Sequence, residues 1–252
     1  MLPNNLNPIV LTPLLVLSPA TKKAVIFLNN QNGRMHHMFQ TLWENASVVA
    51  FVDGFANLVH QGSYGKDYLP NFVTGDFDSI TPETLAFYQS QESVSVIHTP
   101  DENETDFTKC LRIVNTFIEE KQVQLKSIIA AHISGGRLDH ELSLIHTLFL
   151  APRITTVPVY LVSDFCVSLL LYKGETVVNA NTGYEGGHVG IIPIGKPSTV
   201  TTSGLQWNVY DEVLSFETTI STCNRIREPM FTVTCDEPVL LTMEYKLPDN
   251  TT

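Results

Sequence analysis

Six aspartates fall just beyond short apolar runs of the chain. Asp53 follows Val48–Val52, Asp76 and Asp78 follow Phe72–Gly75, Asp101 and Asp106 follow Val94–His98, and Asp139 comes shortly after Ser127–Ile133. If those runs are parallel strands, their carboxyl ends open onto one crevice, which is where ligands bind in open α/β sheets. Carboxylates brought together repel one another and are tolerated best around a cation. Hard oxygen donors with no His/Cys cluster favour Mg²⁺, and Mg²⁺ usually arrives bridging substrate phosphates. The chemistry indicated is metal-dependent phosphoryl transfer. Alternation about Phe77 directs the carboxylates of Asp76 and Asp78 the same way. Gly135-Gly136-Arg137, ahead of Asp139, fits a phosphate-contacting turn with a guanidinium to hold oxygens. Plainer roles exist for single members of the set. Asp53 is also an ordinary turn residue, and Thr105 is also an N-cap for a helix whose dipole Asp106 complements, which is compatible with catalysis.

The elements that position these residues read as follows. Ala24–Leu28, Ser47–Val52, Asn71–Thr74, Val94–His98 and Ser127–Ile133 are short, apolar and rich in β-branched residues, as buried parallel strands are. Helical patterns lie between them. Thr81-Pro82-Glu83 has the N-cap, first-turn proline and early acid of a helix start. Phe107, Cys110, Leu111, Val114, Phe117 and Ile118 form one apolar stripe, and Leu142, Ile145, Leu148 and Phe149 form another. The pattern changes near Pro152–Pro158. Beyond it come Val159–Ser163, Val167–Tyr172, Thr176–Asn179, His188–Ile194, Thr199–Thr202, Thr218–Thr222, Phe231–Thr234 and Val239–Tyr245, separated by turn residues with no helix pattern between them. The expected fold is α/β: a doubly wound, mostly parallel sheet domain over 1–155, followed by an all-β antiparallel sandwich domain over 156–252.

Composition narrows the partners. The 252 residues carry 26 acidic and 15 basic side chains, a formal charge of −11, with no basic stripe. Such a surface repels a phosphate backbone, so nucleic acid is not an expected partner; a cationic small molecule, or an anion accompanied by a divalent metal, is. The four cysteines show no C-x-x-C pair and suggest reduced thiols in a cytoplasmic protein. The apolar stretch Ile9–Leu17 is interrupted by Pro13 and too short to span a bilayer, so no membrane association is expected. The sequons at Asn45, Asn103 and Asn250 then read as chance matches, and His36-His37 as a solvated pair.

Several segments together resemble the eukaryotic thiamin pyrophosphokinase family. They are Val52-Asp53-Gly54-Phe55-Ala56-Asn57, Gly75-Asp76-Phe77-Asp78-Ser79-Ile80, Thr105-Asp106-Phe107-Thr108-Lys109-Cys110-Leu111 and Gly136-Arg137-Leu138-Asp139. The second half adds Thr201-Thr202-Ser203-Gly204-Leu205-Gln206-Trp207-Asn208, Leu214-Ser215-Phe216 and Ser221-Thr222-Cys223-Asn224. The resemblance implies transfer of pyrophosphate from ATP to thiamine, giving AMP and thiamine diphosphate, by Mg²⁺-assisted in-line attack. It also implies a homodimer with active sites at the subunit interface. Carried onto this chain, it puts Asp53, Asp76, Asp78 and Asp106 on the metal. Asn57, Thr105, Lys109, Arg137 and Asp139 then serve the nucleotide, and Trp207, Ser221 and Asn224 face thiamine. Asp76, Asp78, Asp106 and Arg137 are the catalytic set, with Asp106 or Asp78 accepting the hydroxyl proton. Phe55, Glu102 and His140 depart from the family pattern. Two rival readings are a non-catalytic module that binds thiamine or a nucleotide, and an aspartyl phosphatase built on Asp76-x-Asp78.

Overall fold

A computed structural model describes residues 8–29, 37–62 and 67–247. Asn250 and His36 lie outside the described residues. The chain divides into two compact units, Pro19–Asp164 and Met1–Ser18 with Phe165–Thr252. A cut near residue 155 differs from this at both ends. Strand β1 (Ile9–Leu11) groups with the C-terminal unit, and the run at Val159 groups with the N-terminal one.

The unit Pro19–Asp164 alternates strands and helices: β2 (Lys23–Phe27), α1 (Phe39–Glu44), β3 (Ala46–Val52), α2 (Phe55–Gln61), β4 (Phe72–Gly75), α3 (Pro82–Gln89), β5 (Ser95–His98), α4 (Asp106–Lys121), β6 (Ser127–Ala131), α5 (Leu138–Leu150) and β7 (Val159–Val162). Its sheet runs β7-β6-β2-β3-β4-β5, with every pair parallel. β2, β3, β4 and β5 step outward one way; the chain then returns so that β6 lies on the other side of β2. That reversal creates a topological switch point at the carboxyl ends.

Local chemistry accounts for the helix starts. The Thr81 hydroxyl accepts from the Thr84 amide at 3.3 Å and Pro82 opens α3; the Thr105 hydroxyl accepts from Thr108 N at 3.2 Å and opens α4. Phe107, Cys110, Leu111, Val114 and Ile118 of α4 are buried, as the stripe predicts.

The other unit holds β1 together with β8 (Cys166–Leu171), β9 (Gly174–Asn179), β10 (Glu185–Ile192), β11 (Ser198–Ser203), β12 (Glu212–Leu214), β13 (Ser221–Arg225), β14 (Met230–Cys235) and β15 (Val239–Tyr245). One sheet is ordered β1-β9-β14-β11-β12, and the strands β13-β10-β15-β8 make the facing layer of a sandwich. All pairs are antiparallel except β1 with β9. Phe231 and Val233 on one layer, and Leu241 and Met243 on the other, are fully buried, with less buried residues alternating between them.

Lys23, at the start of β2, is fully buried, and burial pushes its ammonium down from 10.5 to about 8. Between those values the unfolded chain binds the proton and the folded chain does not, so stability rises with pH across the window. Below it both states are charged and the penalty persists. Relative to Lys23→Met, the wild-type chain should therefore gain up to about 3 kcal/mol on going from pH 8 to pH 10.5, read by denaturant unfolding at each pH. Parallel curves for the two proteins would show that the ammonium reaches solvent.

Candidate active site

A cavity of about 800 Å³ opens at the carboxyl ends of the parallel strands, lined by residues that follow β2, β3, β4, β5 and β6. Asp53, Asp76, Asp78, Thr105, Asp106, Arg137 and Asp139 all line it. One carboxylate oxygen from each of Asp53, Asp76 and Asp78 lies within 4.8 Å of the other two. Asp106 shares the cavity wall, and its Oδ1 is paired with Lys109 Nζ at 2.8 Å.

The backbone explains how two strand ends approach so closely. Asp53 turns out of β3 at φ 47°, and Gly75 ends β4 at φ 152°. A Cβ on Gly75 would sit 2.9 Å from Asp53 Cβ, so only glycine fits there. Ser79 then joins the two loops. Its hydroxyl donates to Asp53 Oδ2 and accepts from Asn29 Nδ2 at 2.8 Å and from Gly54 N at 3.1 Å. Asp53 is 3% exposed, and its Oδ1 is buried without a hydrogen-bond partner among the described residues. Burial, then the charges of Asp78, Asp76 and Asp106, raise its carboxyl above the ordinary value, against the opposing Ser79 hydrogen bond. A buried carboxylate oxygen lacking a donor, in a cluster of like charges, could hold a hard divalent cation.

On the same cavity wall, Arg137 Nε donates to Asp139 Oδ1 at 3.0 Å and its Nη2 to Asp139 Oδ2, a fork that holds the Asp139 carboxyl down to about 2. Both side chains are more than half exposed, so the guanidinium is available to an anion in the cavity. Glu141, in the first turn of α5, accepts backbone N–H groups from Gly135 and Gly136 and thereby shapes the Gly-Gly turn; burial raises its carboxyl against those bonds. His132 Nδ1 stands 3.7 Å from Glu141 Oε2. His140 also lines the cavity, and Phe55 does not. The Phe55 ring is 2% exposed and packs on Phe27 at 5.1 Å and on Phe51 at 5.2 Å.

Two residues expected on the nucleotide make hydrogen bonds within the loops beside the cavity. Asn57 donates to Ser79 O at 2.8 Å and accepts from Thr81 N at 2.9 Å, so it braces the acidic loop. Lys109 is buried and donates to Thr99 O at 2.7 Å and Asp101 O at 3.0 Å besides pairing with Asp106. Neither lines the cavity. Thr105 keeps its place on the wall, where its hydroxyl meets those of Thr108 and Thr147 at 3.0 and 3.4 Å and ties α4 to α5. Ser79, Asn29, His132 and Glu141 were not singled out by sequence reasoning. For Glu141 a signal existed, an acid in the first turn behind Gly-Gly; for Asn29 there was none.

In the β unit, Trp207, Ser221 and Asn224 do come together. Asn224, 3% exposed, accepts Trp207 N at 3.2 Å and donates to Trp207 O at 2.8 Å and Ser221 Oγ at 3.3 Å. Trp207 is 55% exposed. Asn224 is thus a clasp for the Trp207 loop, and the indole is the surface offered outward.

The chain matches the family model described as "Thiamin pyrophosphokinase, catalytic domain" over residues 39–161, and that described as "Thiamin pyrophosphokinase, vitamin B1 binding domain" over 175–240. It is 35% identical to Thiamine pyrophosphokinase 3 of Oryza sativa subsp. japonica, with 85% of each chain covered. This chain belongs to the thiamin pyrophosphokinase family. Thiamine pyrophosphokinase 1 of Arabidopsis thaliana is 31% identical, over 91% of this chain and 88% of its own. Among solved structures, the thiamin pyrophosphokinase from Candida albicans superposes with a TM-score of 0.84 at 19% identity, covering 98% of this chain and 96% of its own. The yeast thiamin pyrophosphokinase gives 0.82 at 20%, covering 96% and 93%. At these identities the structural likeness establishes the fold. The cavity aspartates and Arg137 lie inside the stretch matched to the catalytic domain, and the Trp207 clasp inside the stretch matched to the vitamin B1 binding domain.

Proposed function

We infer that this chain transfers the pyrophosphoryl group of ATP to thiamine, forming thiamine diphosphate and AMP. The observation that carries the reading is the meeting of Asp53, Asp76 and Asp78 at one cavity corner, in a chain of this family. Those three, with Asp106 beside them, would hold Mg²⁺; the partnerless Asp53 oxygen and the all-oxygen donor set support that choice. When bound, Mg²⁺ neutralises phosphate oxygens and fixes their geometry.

The residues then divide the remaining work. Arg137, aimed by Asp139, binds phosphate oxygens in the same cavity. Thr105 and the Gly135-Gly136 turn line the nucleotide's path. Trp207 supplies a face for the cationic thiazolium, and Ser221 a hydroxyl beside it. The hydroxyethyl oxygen of thiamine attacks the β-phosphorus in line as the bond to the α-phosphate oxygen breaks. AMP leaves, and the hydroxyl proton passes to Asp106 or Asp78. The α/β unit would thus handle ATP and metal, and the β unit thiamine.

We further propose a homodimer whose active sites are shared between subunits. Placement in the cytoplasm agrees with buried thiols such as Cys110 and Cys235 that stay reduced there. Among the described residues no helix is long and apolar enough to cross a membrane.

Incubation with ATP, Mg²⁺ and thiamine should release AMP and thiamine diphosphate in equal amounts, resolved by chromatography. Ligand binding without AMP release would favour a non-catalytic module. Phosphate release without an acceptor, through a covalent aspartyl phosphate, would favour a phosphatase. Sedimentation equilibrium checks the dimer.

A further inference from the structure

His98 closes β5 just outside the cavity wall, exposed at the surface. Its Nε2 lies 3.1 Å from the backbone oxygen of Asp76. A carbonyl only accepts, so Nε2 carries the proton in this contact whether the ring is neutral or charged. The same ring stacks on Phe77, with centroids 5.3 Å apart and planes 23° apart. One side chain thus grips two consecutive residues of the acidic turn, the first by its backbone and the second by its ring.

That turn needs a restraint. Phe77 has φ 65°, a left-handed conformation that bulky L-residues rarely adopt. The conformation is what brings the Asp78 amide back to Asp76 Oδ1, at 3.2 Å, and sets the two carboxylates side by side. A Phe77 relaxed to extended backbone would re-aim Asp78. The far end of the turn is secured at Ser79 by Asn29, Gly54 and Asn57. The near end leans on β5, through Thr99 N to Gly75 O at 2.8 Å and through His98.

We propose that His98 is a positioning residue that holds Phe77 left-handed and so fixes the spacing of Asp76 and Asp78 as cation ligands. This rests on the metal reading given above. The contact requires only the Nε2 proton and the ring face, so it does not depend on the charge of the imidazole.

The test is Mn²⁺ binding to the full chain without substrates, by isothermal titration calorimetry, for wild type, His98→Ala, His98→Gln and Asp76→Asn. His98→Ala should bind Mn²⁺ about tenfold more weakly, the scale seen when a residue that orients a metal ligand is lost. His98→Gln, which restores an N–H donor but not the ring, should recover part of that loss. Because His98 is exposed, the metal-free unfolding midpoint of both variants should match wild type. A crystal structure of His98→Ala should show Phe77 outside the left-handed region. Saturable Mn²⁺ binding of equal affinity in wild type and His98→Ala would overturn the proposal and leave the metal reading intact. So would Phe77 unmoved in that crystal. Wild type that binds no more Mn²⁺ than Asp76→Asn would overturn the metal reading, and the proposal with it.

Discussion

Asp76→Asn should lower the turnover of thiamine to thiamine diphosphate about a thousandfold at saturating ATP and thiamine, while leaving the metal-free protein as stable as wild type or more so. A thousandfold is roughly 4 kcal/mol of transition-state stabilisation, a reasonable share for charge neutralisation of a transferring phosphoryl group. The two halves of the expectation come from one geometry. Three carboxylates within 4.8 Å of one another repel when no cation sits between them, so removing one charge relieves the folded state. Asparagine keeps the Oδ1 that accepts the Asp78 amide, so the turn retains its shape. What is lost is a charged oxygen for the cation, and with it the Mg²⁺ dependence. Steady-state rates across a Mg²⁺ titration and thermal unfolding without metal measure both. An Asp76→Asn protein with wild-type turnover and an unchanged Mg²⁺ midpoint would remove Asp76 from the metal site.

Most of the parallel sheet was legible because strands buried on both faces are continuous apolar runs, and β2, β3, β4, β5 and β6 lie within two residues of where those runs put them. β7 was legible as a strand but not as a member of that sheet. A four-residue buried run carries no mark of its partner, and here the partner is β6, in parallel register. α1 and α2 were missed because they are short and their aromatic residues face a crowded cluster, so no polar stripe sets the helical period. β13 begins three residues later than its apolar pattern suggested; it pairs with β10 across an irregularity in register and carries Cys223 at φ 57°. The aspartates themselves were legible because a strand end is a topological address. Their supports were not. Asn29 to Ser79 and Ser79 to Asp53 are bonds across 50 and 26 residues, which only the folded sheet brings within reach. Asn57 and Lys109 have bonds that the sequence did not show either. Each lies three or four residues beyond a site aspartate, and the side chain turns inward, to the loop backbone, rather than toward the cavity.

Trp207→Ala and Asn224→Ala should both raise KM for thiamine about fivefold or more with kcat changed far less, but only the second should also lower the unfolding midpoint. The indole is 55% exposed and carries little of the fold, so its removal costs mainly the stacking it offers a cation, on the order of 1–2 kcal/mol, or about five- to thirtyfold in affinity. Asn224 is 3% exposed and answers three backbone groups, Trp207 N, Trp207 O and Arg225 N, the last at 2.8 Å. Alanine there leaves buried polar groups without partners, at about 1–3 kcal/mol each where water cannot replace the bond, and frees the loop that presents the indole. Asn224→Asp tests the donor role. It keeps an acceptor for Trp207 N and Arg225 N but sets a buried carboxylate oxygen against the Trp207 carbonyl, so its midpoint should fall at least as far as that of Asn224→Ala. The double variant Trp207→Ala/Asn224→Ala completes the cycle. Once the indole is gone, loosening its loop has nothing left to misplace, so KM should rise little beyond the single Trp207→Ala value. Additive effects on KM would instead mean that Asn224 meets thiamine by itself, and an unchanged KM in Trp207→Ala would take the indole out of the thiamine site.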